Sequence, residues 1–174
     1  KSLDLLSPKI ANPMSVNRNG LNIGEGGALF TLVKSDQGVK ILGVGESSDA
    51  HHLSAPDPQG LGAIRAMRSA IEQAGRREVK YLNFHGTGTV LNDSMESKAA
   101  SEVLGDDVFC SSTKPLTGHL LGGCGAAEIG FCWLMLTQAA EQKTLLAHLW
   151  DGNKDSGLPN LKLVEHGQTV KISK

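Results

Sequence analysis

A chain of 174 residues falls in the ~100–200 range of one domain and can bury a core, which argues against several independent domains. Seventeen Lys and Arg against eighteen Asp and Glu leave a formal charge of -1, which argues against a nucleic-acid or polybasic membrane surface as the main partner. With 40% hydrophobic and 20% charged residues and no run of ~18 apolar residues, the composition fits a globular domain, neither disordered nor membrane-spanning.

The first residues, Lys1, Ser2, Leu3 and Asp4, show no initiator Met and no signal pattern, and read as a cut inside a longer protein. After a loop with Pro8 and Pro13, residues 27–34 and 39–44 are rich in strand formers around the turn signal 35–38, and predict a hairpin. Between residues 59 and 74, Leu61, Ile64, Met67, Ala70, Ile71 and Ala74 recur at helical spacing, with Gly75 as a stop. A short strand is predicted at 79–84, a helix at 94–104 and a core strand at 108–110. The apolar, small-residue-rich stretch 120–140 reads as a buried helix whose glycines serve close packing, since each costs ~1 kcal/mol against Ala in a helix. Residues 145–149 read as a further strand. Strand and helix alternate, which predicts an α/β layered domain.

Two polar loops join a strand to a helix, and each carries one histidine, His85 in the first and His119 in the second. In α/β sheets, ligands bind at the carboxyl ends of strands, so the loops are predicted to converge on one crevice. A neutral imidazole there holds an N–H against a developing enolate oxygen. A single loop histidine is by default an ordinary hydrogen-bonded residue. Here Gly86, Gly88 and Gly118 let backbone approach a ligand, and Thr87, Thr89 and Thr117 add hydroxyl groups. No phosphate-cradling glycine motif follows a strand.

Asp93 with Glu96 three residues on reads as a helix capping box, and Glu96 also reads as an ion-pair partner for Lys114. Cys110, Cys124 and Cys132 are odd in number and without CxxC spacing, which favours a reducing interior over a disulfide framework. They are candidate nucleophiles beside a histidine, but their apolar surroundings read more simply as buried packing. His51, His52, His148 and His166 lack metal-ligand spacing, so no metal is expected.

With these residues in view, the chain resembles the C-terminal half of a β-ketoacyl-acyl-carrier-protein synthase, a thiolase-fold condensing enzyme. Residues 17–26 are similar to that family's Arg-x-Gly and Gly-Glu-Gly segment. Residues 48–56 are similar to its mobile loop, with Ser54 where threonine is common. His85 to Thr89 followed by Asn92, Asp93 and Glu96 resembles the first histidine motif, and residues 112–122 the second. The resemblance implies half of an αβαβα core, a mixed sheet with a buried helix, so that residues 1–174 are a C-terminal domain lacking the N-terminal nucleophile domain.

It also implies decarboxylative Claisen condensation of an acyl thioester with malonyl-acyl-carrier protein, as in fatty-acid biosynthesis. His85 and His119 would promote decarboxylation, with Lys114 and Glu96 supporting them. Thr87, Thr89 and Ser54 would meet the phosphopantetheine arm, and Asp93 and Gly118 would shape the site. No separately bound cofactor and no metal is expected, because phosphopantetheine arrives on the carrier protein. The expected partners are acyl carrier protein and, for the parent, a second copy, with no nucleic acid or membrane, in the cytoplasm. The nucleophilic cysteine is missing from these residues, so the isolated fragment is expected to be inactive. The alternative is a non-catalytic partner subunit resembling the chain-length factors.

Overall fold

A computed structural model of the chain describes residues 5–52, 55–75 and 78–172. Helix α1 (Leu61–Gln73) is followed by strand β1 (Tyr81–Asn83), helix α2 (Val90–Leu104), strand β2 (Phe109–Ser111) and the single turn α3 (Lys114–Thr117). A 3₁₀ turn (Leu121–Gly123) leads into α4 (Cys124–Thr137), and strands β3 (Gln142–Thr144), β4 (Lys162–Leu163) and β5 (Thr169–Lys171) complete the order.

Strands β1, β2 and β4 form a parallel sheet in that order, with Leu82 opposite Cys110 and Cys110 opposite Leu163. Side chains alternate across a strand, so the sheet serves two cores. On one face Leu82, Cys110 and Leu163 pack with Phe84, Met14 and Ala100 of α2. On the other, Tyr81 and Phe109 join Met135 and Leu136 of α4, Leu145 and Val164. The layers are therefore helix, sheet, helix, and both histidine loops leave the sheet at the carboxyl ends of β1 and β2. Strands β3 and β5 form a separate antiparallel pair.

Four expectations are corrected. Residues 27–34 and 39–44 form no strand, and Leu29, Leu32, Val33, Ile41 and Val44 are exposed, Leu29 at 98%. β-branched residues favour a strand only where a ladder and a covering face exist, and no segment of the described chain supplies them. Helix α2 starts at Val90, four residues early, with Thr89 as its N-cap residue. The strand expected at 145–149 lies instead at Gln142–Thr144. Helix α4 buries Cys124, Ala127 and Met135, while Ile129, Trp133 and Leu134 on its other side are exposed.

The glycines of the α4 region also divide. A Cβ on Gly123 would meet the Gly26 carbonyl oxygen at 2.3 Å, whereas Gly122 and Gly125 face open space. No helix among the described residues is long and apolar enough to cross a membrane.

Two glycine substitutions should act with opposite sign in denaturant unfolding. Gly45→Ala would place a Cβ 1.9 Å from the Ala66 carbonyl oxygen of α1, where only backbone can yield. It should cost ~1–3 kcal/mol. Gly130→Ala in α4 meets only ordinary contacts, at 3.5 Å to Phe30 and 3.6 Å to Ala28, and should stabilise by ~0.5–1 kcal/mol.

Candidate active site

The first loop is shaped by two carboxylates of α2. Both oxygens of Glu96 accept backbone N–H groups, from His85 at 2.6 Å and from Gly86 at 2.8 Å, and Asn92 Nδ2 adds a third donor at 3.3 Å. Asp93, fully buried, accepts from the Met14 N–H at 2.9 Å and the Gly88 N–H at 3.2 Å. Neither acid caps the helix as the capping-box spacing suggests. They face the preceding loop because α2 begins early enough to place both inside it. A turn with φ near +40° at Gly86 suits glycine, and an added Cβ there would meet Ser112 at 2.5 Å.

The second loop is built by the chain that precedes it in sequence by nearly a hundred residues. His119 N–H donates to the Asn22 carbonyl at 2.6 Å, and Gly24 N–H donates back to the His119 carbonyl at 3.1 Å. Gly118, at φ +70°, lies against this segment, with a virtual Cβ 2.8 Å from Gly24 N. Ser112 then joins the loops: its hydroxyl donates to the Gly86 carbonyl at 2.7 Å, and the Lys114 N–H donates to it at 3.2 Å. His148 locks the base. It accepts the Ser112 N–H on Nδ1 at 3.1 Å and donates from Nε2 to the Pro13 carbonyl at 3.0 Å.

These supports bring His85 and His119 together, with ring centroids 4.9 Å apart and planes at 89°. Leu121, held at φ +51°, turns its N–H onto His119 Nδ1 at 2.9 Å, so that ring carries its proton on Nε2. The Lys114 ammonium, which can only donate, lies 3.4 Å from His85 Nδ1 and assigns the proton of that ring to Nε2 as well. Burial, then the Lys114 charge, then His119 hold His85 down at about 4. His119 is lowered by burial and Lys114, with Glu128 pulling the other way. At neutral pH the pair is two neutral N–H donors.

Lys114 finds its carboxylate on α4 rather than α2. It forms an ion pair with Glu128, and the expected Lys114–Glu96 pairing is replaced. Burial outweighs the donors around Glu96 and raises its carboxyl to about 7, with Asp93 adding to the rise. Glu128 was missed by sequence reasoning, although it is the lone acid in residues 120–140. Cys124 is buried, as its apolar surroundings in the sequence suggest, and its Sγ also lies 3.8 Å from His119 Nδ1 and 3.7 Å from Glu128 Oε1. Cys110 and Cys132 fit the packing reading, with thiols pushed up by burial to about 12 and about 11. Thr87 and Thr89 pair through their hydroxyls at 2.9 Å beside His85. Ser54 lies outside the described residues.

A family model described as "Beta-ketoacyl synthase, C-terminal domain" matches residues 39–147. A 3-oxoacyl-[acyl-carrier-protein] synthase 2 of Staphylococcus aureus is 36% identical, over 78% of this chain and 36% of that protein. Its namesake from Synechocystis is 38% identical, over 68% of this chain and 32% of that protein. The chain thus spans about a third of the length of these relatives. Among solved structures, a ketosynthase in complex with its chain length factor from Xenorhabdus doucetiae matches with a TM-score of 0.84 and 40% identity, covering 99% of this chain and 43% of that one. A β-ketoacyl synthase from Burkholderia phymatum, 24% identical, shares the fold at a TM-score of 0.73, over 96% of this chain and 41% of that one. The thiolase-like α/β architecture expected from the sequence is thereby shared with known proteins.

Removing Glu128 should be far more damaging than its surface-facing side suggests. Glu128→Ala leaves the Lys114 ammonium, 1% exposed, without a counter-charge, and should destabilise by ~3–5 kcal/mol in denaturant unfolding. The double change Glu128→Ala with Lys114→Met should recover much of that loss.

His148 should also make stability pH-dependent. Burial lowers it from 6.5 to about 4 in the folded state, with the bond to Pro13 opposing. The unfolded chain then binds the extra proton first, so this contribution is complete above 6.5 and is lost as pH falls toward 4. Melting temperatures of the wild type and His148→Gln should converge across that window.

Proposed function

The chain belongs to the β-ketoacyl synthase family as a C-terminal domain, and on that premise we propose that it supplies the histidine pair of a decarboxylative Claisen condensation. The reaction joins an acyl thioester to malonyl-acyl-carrier protein and yields 3-oxoacyl-acyl-carrier protein. The observation that carries this reading is the pair of neutral imidazoles 4.9 Å apart, each with its proton on Nε2.

Two such donors suit one oxygen on which charge develops. As malonyl thioester loses carbon dioxide, the carbon–carbon bond breaks and its electron pair moves onto the thioester oxygen. Both Nε2–H groups then hydrogen-bond the enolate. The enolate carbon attacks the acyl thioester of a cysteine supplied from outside these residues, and that cysteine leaves as thiolate. Neutral rings serve better here than imidazolium, which would hand a proton to the enolate and quench it. Lys114 orients His85, and Glu128 holds Lys114.

The donor of the malonyl unit is an acyl carrier protein, whose phosphopantetheine arm lies along Thr87 and Thr89. The exposed apolar sides of residues 28–44 and α4 suit burial against the remainder of a longer parent, which acts as a homodimer. Three free thiols fit a reducing, cytoplasmic setting. A chain-length-factor-like, non-catalytic role is the second reading, since the Xenorhabdus doucetiae match is a complex containing such a factor. The connected set of His85, Lys114, Glu128 and His119 supports the catalytic one.

In the protein expressed at its natural length, His85→Ala and His119→Ala should each slow carbon dioxide release from malonyl-acyl-carrier protein by about 10²–10³. Product formation by His119→Ala at the wild-type rate would overturn the assignment. The 174 residues alone should form no 3-oxoacyl product, and detection of it would show that the nucleophile lies within them.

A further inference from the structure

We propose that His85, His119 and Cys124 form a binding site for a soft divalent metal ion, with Zn²⁺ as the natural occupant by donor chemistry. One ligand atom from each of the three lies within 4.8 Å of the others. They come from three separate elements: the loop after β1, the loop after α3, and the first residue of α4. Two imidazoles and a thiol are a borderline-soft donor set, suited to zinc and poorly suited to calcium or magnesium.

One of the three ligand pairs is near the spacing zinc requires, and the third ligand has to move in. Zn–S near 2.3 Å and Zn–N near 2.0–2.1 Å set tetrahedral ligand atoms roughly 3.3–3.6 Å apart. The Cys124 Sγ to His119 Nδ1 separation of 3.8 Å nearly meets that spacing. The His85 ring has to close by about 1 Å from the 4.8 Å limit, and its exposed side leaves it room to do so. Leu121 N–H gives up Nδ1 of His119 as the metal arrives.

Lys114, the cation beside His85, keeps the Glu128 carboxylate as its counter-charge. On binding, the Sγ–H bond of Cys124 breaks, its electron pair forms the Zn–S bond, and the proton leaves past Glu128 Oε1, 3.7 Å away, to water. Three protein ligands leave a fourth position open for water. An ion held there draws the two rings out of the positions from which they hydrogen-bond a thioester. That inhibitory consequence rests on the condensing function proposed above; the binding itself does not.

Cobalt(II) is the probe, titrated into metal-free protein of natural length. One equivalent should produce a near-ultraviolet thiolate-to-cobalt band with the visible bands of a four-coordinate ion, and Zn²⁺ should displace it. Competition with a chromophoric chelator then reads zinc affinity. Cys124→Ala and Cys124→Ser should both lose the thiolate band and weaken zinc by roughly tenfold or more. Cys110→Ala and Cys132→Ala should keep it. Only the weak spectrum of octahedral cobalt in the wild type, or a thiolate band that survives in a folded Cys124 variant, overturns the site. A protein that shows the cobalt spectrum but no condensation retains the metal site and loses the functional reading.

Discussion

A buried ammonium needs a counter-charge, and the way Lys114 obtains one organises the site. Its side chain is 1% exposed, and its partner Glu128 comes from the helix that follows, so the ion pair fastens α3 to α4. Desolvating both charges is costly, and such a pair contributes little net stability compared with apolar packing. What it contributes is position. It aims a fixed positive charge at His85 Nδ1 and adds to burial, the larger cause, in lowering the proton affinity of both imidazoles.

A second constraint is the need to satisfy loop backbone. Polar loops that cross a core leave N–H groups which must find acceptors. Here α2 supplies them by turning two acids back onto the chain that leads into it. Glu96 collects His85 and Gly86, while Asp93 collects Gly88 and, from far away in sequence, Met14. Ser112 and His148 continue the network to the second loop and to Pro13. The histidines meet because four segments share these bonds. The same arrangement leaves the Cys124 thiol beside His119, and so places a metal-type donor set within a site otherwise built for hydrogen bonding.

The surface tells a complementary story. Residues 27–46 carry the composition of a strand pair, yet lie along α1 and α4 without a ladder. Glycines 43 and 45 let this backbone rest directly on α1, which positions the segment while leaving its apolar side chains outward. The chain spans about a third of the length of its curated relatives.

Residue pattern alone places a helix between residues 59 and 74, observed at Leu61–Gln73, the two central strands, the α/β class and the two histidine loops. Those signals are local: periodicity, glycine placement and motif spacing are carried by neighbouring residues. It also put Lys114 among the candidate site residues. Which acid pairs with it is a matter of long-range packing, because Glu96 and Glu128 sit on different helices and the choice depends on where α2 begins. A start at Val90 instead of Ser94 swings Glu96 toward the His85 backbone and leaves Lys114 to Glu128. The tautomers of both rings, the place of Cys124 beside His119 and the loss of the expected hairpin were likewise decided by long-range packing. Each depends on partners that lie outside the local window in which a sequence pattern is read.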